Sequence, residues 1–261
     1  MKQSKIKFYL ISVFFILFLA GTINAGVSDI ATMELKTSFV QNYMWRGFDL
    51  LPDNDGAFQP DLYVELKNSG VYFGTWGSFG FDSMWDIWDE WDYYLGAFRS
   101  FNKESDWAVD MDFCYTYFDF PNQNRYTDTQ EVAFGFKLPS LLAINEIKIK
   151  PFTTVYYSFP AHENEADQEG YWLKVGMDAS MAVSGFNSEN MNFLVESFLN
   201  DGGAGFQVDP GWSHIRAMYA IAFNIGGFKI KPSVNYQWSL EDTVNTEDEF
   251  WAEVSFSKTL F

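Results

Sequence analysis

Carboxylates and aromatic rings alternate along this chain at a spacing of two. In the run Trp107 to Phe118, the residues Trp107, Val109, Met111, Phe113, Tyr115 and Tyr117 fall on one face of an extended strand. Ala108, Asp110, Asp112, Cys114 and Thr116 fall on the other. Asp110 and Asp112 need water, and the opposite face avoids it. In the same phase stand Tyr72, Trp76, Tyr94, Phe98 and Trp172, together with Glu90, Asp92, Lys174, Asp178, Glu196, Arg216 and Glu253. Rings set among charges can act as a sliding track for a sugar or nucleoside, or they can fill a narrow enclosed space.

Covalent chemistry is harder to assemble from these residues. A hydrolase needs a base, and the chain has only His162 and His214; neither has a nucleophile and an orienting partner in a recognisable context. The single cysteine, Cys114, excludes a disulfide framework and a thiolate metal cluster within one chain. Asp53-Asn54-Asp55-Gly56 and the run Glu163 to Glu169 lack EF-hand ligand spacing. No catalytic residue, metal ligand or cofactor is expected. With 17 basic against 35 acidic residues and a formal charge of −18, the chain is also a poor partner for nucleic acid.

Elements of period two must position these faces. Strands are expected at residues 31–45, 60–67, 71–79, 88–101, 107–118, 129–138, 146–158, 171–183, 191–199, 212–224, 228–239 and 249–261. The clearest alternation lies in 107–118, 212–224 and 228–239. In 228–239, Phe228, Ile230, Pro232, Val234, Tyr236 and Trp238 share one face, opposite Lys229, Lys231, Ser233, Asn235, Gln237 and Ser239. Pro232 cannot donate to a ladder, so a bulge or a local break is expected there. An Arg should be tolerated at inward 235 and not at outward 234.

An apolar face turned outward and a wet face turned inward is the arrangement of a transmembrane antiparallel β-barrel of about twelve strands. Aromatics make up 20% of the chain, as 28 Phe, 14 Tyr and 10 Trp, which suits girdles at two membrane interfaces. Lys2, Lys5 and Lys7 precede an apolar run from Phe8 to Ala20, and Thr22-Ile23-Asn24-Ala25 follows. Residues 1–25 therefore read as a secretory signal peptide and residues 26–261 as one barrel domain.

Connections alternate in length, as expected of short periplasmic turns and long external loops. The long ones collect acids, including Asp49, Asp53, Asp55, Asp82, Asp86, Glu163, Glu165, Asp167, Glu169, Asp201, Glu241 and Asp248. Lys67, Lys103, Lys137, Lys148, Lys150, Lys229 and Lys231 lie near the short turns. The external mouth is expected to be negative, with Arg46, Glu163, Glu165, Asp167 and Glu169 on it. Arg46 there acts either on solutes or as a buttress between loops through carboxylates.

Asn42-Tyr43-Met44-Trp45-Arg46-Gly47, followed by Gly70-Val71-Tyr72-Phe73-Gly74-Thr75-Trp76-Gly77-Ser78, resembles the TorF-like porin family of bacterial proteins. In that family an aromatic-Arg-Gly motif closes the first strand, and a Gly-x-Tyr-x-Gly-x-Trp-x-Ser strand follows the first hairpin. The polar residues that follow Arg-Gly in the family are replaced here by Phe48-Asp49-Leu50. The resemblance covers the N-terminal third and implies an outer-membrane barrel. Phe261 is similar to the terminal aromatic read by the barrel-assembly machinery. The apolar face through Phe250, Ala252, Val254 and Phe256 puts Phe261 out of phase without a bulge near Ser257 or Lys258.

These readings imply a protein of the Gram-negative outer membrane, in contact with lipid and passing small solutes by diffusion with weak cation preference. A non-conducting barrel that binds a ligand or surface through its loops is the alternative. An outer-membrane hydrolase is the third.

Overall fold

The computed structural model describes residues 28–52, 55–139, 141–144, 146–162, 169–183, 188–202 and 208–261. Twelve long strands form its wall: β1 (Ala31–Val40), β4 (Ala57–Leu66), β5 (Val71–Gly80), β6 (Glu90–Phe101), β7 (Val109–Asp119) and β8 (Thr129–Lys137) come first. They are followed by β10 (Ile147–Pro160), β11 (Gly170–Ala182), β12 (Ser188–Asn200), β13 (Gly211–Ile225), β14 (Phe228–Ser239) and β15 (Glu249–Thr259). Each pairs antiparallel with its sequence neighbours, and β1 pairs with β15 to close the ring. Three short strands are additional. β2 (Met44–Trp45) and β3 (Phe48–Asp49) pair with each other, and β9 (Leu142–Ile144) folds against β10 in a turn.

Closure removes free edges, which lipid would not satisfy, and leaves side-chain phase to decide what faces where. Phe113, Phe134 and Val155 are successive cross-strand partners on β7, β8 and β10, and all three are exposed on the outer face. Leu95, Met177, Val195 and Val234 extend this apolar band around the ring. No described helix is long and apolar enough to cross a membrane. The turns are matched to the right-handed twist of the wall: Gly226 and Gly227 both take positive φ in the two-residue link between β13 and β14.

Two local expectations change, and a third is met on one side of its strand only. The first strand ends at Val40 rather than Trp45, because the chain leaves the wall and turns into the barrel. At Pro232 the expected local break is present without a bulge, and on one side only. The β14 ladder to β15 runs through Pro232 unbroken, while on the β13 side the pairing lapses between Ala220/Ser233 and Phe223/Ile230 and resumes in the same register. The register of β1 with β15 is likewise constant from Val40/Glu253 to Glu34/Thr259. With no bulge at Ser257 or Lys258, Leu260 holds the outward phase and its N–H donates to the Met33 oxygen at 2.8 Å. The real shifts lie between β12 and β13, at Ser188/Met191 and at Phe198/Leu199. The second bulge brings both Ser213 and His214 to buried positions.

Candidate functional site

The lumen is divided into two levels by the segment between β1 and β4. Arg46 at φ 50° and Gly47 at φ 103° form the two-residue tip of the β2–β3 hairpin, the geometry of a primed turn. Trp45 and Phe48 flank the tip and pack on Trp172 with ring centres 5.6 Å and 6.2 Å apart. Tyr43, Phe48, Leu50 and Leu51 join Val40, Ala57, Trp172 and Val244 in an apolar cluster inside the barrel. An apolar loop facing water would leave this surface exposed. Folded inward, it supplies the outer half of the lumen with a core.

Polar contacts tie the hairpin to walls on all sides. Tyr43 donates from its hydroxyl to Glu90 Oε2 at 2.8 Å, Asn42 from Nδ2 to Glu249 Oε2 at 3.4 Å, and Gln237 from Nε2 to the Gly47 oxygen at 2.8 Å. Burial, then the Glu90 and Asp92 carboxylates, push the Tyr43 phenol well above its ordinary range and keep it a donor. Arg46 Nη2 donates to Glu131 Oε1 at 2.6 Å, and Ser158 Oγ donates to Glu131 Oε2 at 2.9 Å. Burial works against the Arg46 charge, and Glu131 more than offsets it. Arg46 is thus enclosed in the lumen rather than placed on an open rim, with 8% of its side chain exposed.

Below the hairpin lies a cavity of about 500 Å³. Tyr72, Asp110, Asp112 and Lys174 line it, along with Glu131 and Tyr156, which also hold Arg46 from above. Tyr72 donates to both oxygens of Asp112 at 3.0 Å. Its ring lies over Gly96, where an added Cβ would meet it at 2.2 Å; on the neighbouring pair Tyr94 lies over Gly74 in the reciprocal sense. Gly74 on β5 and Gly96 on β6 therefore make slots for rings that lie along the wall. Tyr94 donates to Asp61 Oδ1 at 2.9 Å, and Trp76 packs against Tyr43 in the upper level.

The remaining candidates sit elsewhere. Asp178 is bridged by Lys137 and, at 3.6 Å, by Lys150 near the short-turn end. Arg216 stands on the wall formed by β12 to β15, donating to Glu196 Oε1 at 3.1 Å and twice to Asn235 Oδ1 at 3.2 Å and 2.9 Å. Asn235 is 1% exposed, so an Arg there would meet the Arg216 guanidinium in an enclosed position where Glu196 is already engaged, which argues against the tolerance expected at 235. Of the four acids placed on the mouth, Glu163, Glu165 and Asp167 lie outside the described residues; Glu169 accepts from the Tyr157 hydroxyl at 3.5 Å. Other loop acids serve structure: Asp82 accepts from Met84 N–H and Asp248 from Ser239 N–H.

Ser213 Oγ lies 2.9 Å from His214 Nδ1, but Ser213 also donates to the Phe198 oxygen, and both side chains are enclosed at the hairpin tip. A Cβ on Gly47 would come within 2.7 Å of that same nitrogen. The His214 ring therefore shapes the seat of the tip. Sequence reasoning missed Glu131, Tyr156 and Gln237; the only local sign of their role is the apolar content of the loop they hold.

No protein-family model matches the chain, and no curated protein does. Solved structures match across most of it. An outer membrane channel from Pseudomonas putida F1 has a TM-score of 0.55 at 8% identity over 88% of this chain and 95% of that one. The NanC porin has 0.53 at 6% over 87% and 98%. LpxR from Salmonella typhimurium has 0.51 at 7% over 86% and 99%. At such identities the likeness is one of fold, and the fold is the twelve-stranded antiparallel barrel of outer-membrane proteins.

Proposed function

We propose that the protein is a narrow outer-membrane channel for passive diffusion of small solutes, with weak cation preference. In this reading residues 1–25 direct export, residues 26–261 form the barrel, Phe261 serves recognition by the assembly machinery, and the TorF-like motif marks the inward hairpin. The observation that carries it is the cavity of about 500 Å³ with Asp110 and Lys174 on its wall. Neither residue has an ion-pair partner among the described residues, and bare charges in a dry, filled lumen would be costly, so the lumen is read as wet. The reaction-free reading follows from Ser213 and His214 being spent on packing. Single-channel recording of the refolded protein tests it: discrete current steps are expected.

The inward hairpin favours a second reading, a barrel that does not conduct and presents its loops to a ligand. Silence in both the wild type and a variant lacking residues 44–49 would select it.

A further inference from the structure

The barrel wall binds Arg46 as it would bind a ligand. The guanidinium carbon lies 4.3 Å from the Tyr156 ring centre and 5.2 Å from that of Trp172, while Nη2 donates to Glu131 at 2.6 Å. These three side chains come from β10, β11 and β8, which are adjacent strands of the wall, and none belongs to the hairpin. Trp45, at 4.6 Å, closes the fourth side. Ring faces supply negative quadrupole, the carboxylate supplies countercharge and directional acceptance, and enclosure strengthens both. Such a combination selects a planar cation that carries N–H groups.

The seat also has capacity that Arg46 leaves unused. Trp172 is fully buried, and among the described residues its Nε1 has no acceptor; Arg46 Nη1 has none there either. A cation that brought an oxygen acceptor of its own would satisfy a donor that the hairpin strands. Beneath the seat Tyr156 is shared with Lys174, whose Nζ lies 5.6 Å from that ring, and Asp112 and Asp110 continue the acidic wall through the cavity.

We infer that Glu131, Tyr156 and Trp172 form a binding site for a small guanidinium-bearing solute, which Arg46 occupies from within the chain. The Arg46 side chain and the solute compete for one seat, so solute binding and withdrawal of that side chain are the same event. The inference concerns binding and does not require ion flow.

The test uses the full barrel folded in detergent. Arg46→Gly vacates the seat at a position whose φ of 50° suits glycine. Titration with ethylguanidinium chloride at constant ionic strength is read by tryptophan fluorescence, with ethylammonium as the non-planar comparison. Arg46→Gly is expected to bind ethylguanidinium saturably and about tenfold or more tighter than wild type, with Glu131→Gln in the same background removing that gain. Arg46→Lys, which keeps a cation on the hairpin, should give an intermediate affinity. The inference is overturned if wild type, Arg46→Gly and Arg46→Lys respond alike, or if ethylammonium binds Arg46→Gly as tightly as ethylguanidinium. A silent channel with saturable binding would remove the diffusion reading alone.

Discussion

Gln237 on β14 donates from Nε2 to the carbonyl oxygen of Gly47 at 2.8 Å, joining the far wall to the hairpin tip across 190 positions of sequence. The contact uses the main chain, so only the path of the backbone at Gly47 has to be right. That path runs at φ 103° with His214 against it, and the tip therefore has one way to seat.

Gly47→Ala should unseat it. The new Cβ would lie 2.7 Å from His214 Nδ1 and 3.0 Å from Val244 Cγ1, both in enclosed surroundings. Positive φ adds a cost on the order of 1–2 kcal/mol for a residue with a Cβ. Conductance should rise and the urea midpoint of the folded barrel should fall. Unchanged values for both would mean that the tip does not close the lumen.

Inside and outside can be compared along β6. Leu95 faces outward and is 54% exposed, whereas Ser100 lines the cavity opposite Asp110. Leu95→Arg should impair insertion, since Arg or Lys on the lipid face near the midplane costs about 2–4 kcal/mol. Ser100→Arg should insert normally with Asp110 as its counterion. Heat-modifiable migration on gels measures both, and equal behaviour would refute the assigned faces.

The barrel is legible in the sequence because period two carries its own geometry: Tyr72, Tyr94 and Asp112 are in phase before any coordinates are known. The hairpin is not legible in that way. Arg46 meets Glu131 across 85 positions, and nothing near either residue names the other. What the sequence does hold is Trp45 and Phe48 around Arg46-Gly47, two rings in a connection that should be polar. Equally hidden is the register shift at Phe198/Leu199, which turns Ser213 and His214 to buried positions; a one-residue slip leaves no mark in alternation that strong. At Pro232 the break expected from its missing donor is present, on the β13 side alone.

If the barrel conducts as proposed, its selectivity depends on the acids that have no ion-pair partner among the described residues. Asp110 and Asp112 line the cavity, and a low-dielectric wall focuses their field, so cations should carry more current than anions. The preference should weaken with salt as the Debye length shrinks from about 10 Å at 0.1 M to about 3 Å at 1 M. Asp110→Asn with Asp112→Asn should reduce it more than joint neutralisation of Glu163, Glu165, Asp167 and Glu169, because screening is weaker inside the barrel. Reversal potentials that respond only to the loop substitutions would move control to the mouth.

Cys114 offers a reporter that needs no engineering. It is the sole cysteine, it faces the cavity on β7 between Asp112 and Thr116, and the hairpin lies between it and the long loops. A cationic methanethiosulfonate that arrives from the long-loop side must pass the hairpin to reach it, while any thiol effect of the reagent chemistry is common to all variants at one pH. Labelling should be slow in the wild type. It should be several-fold faster in Arg46→Gly and faster again when residues 44–49 are replaced by Gly-Gly. That replacement spans a gap already narrow, since Leu50 N–H donates to the Tyr43 oxygen at 3.0 Å. Urea-unfolded protein sets the full extent of reaction. If the wild type labels as fast as the variant without its hairpin, the hairpin does not stand in the path; if neither labels, the external loops close the barrel above it.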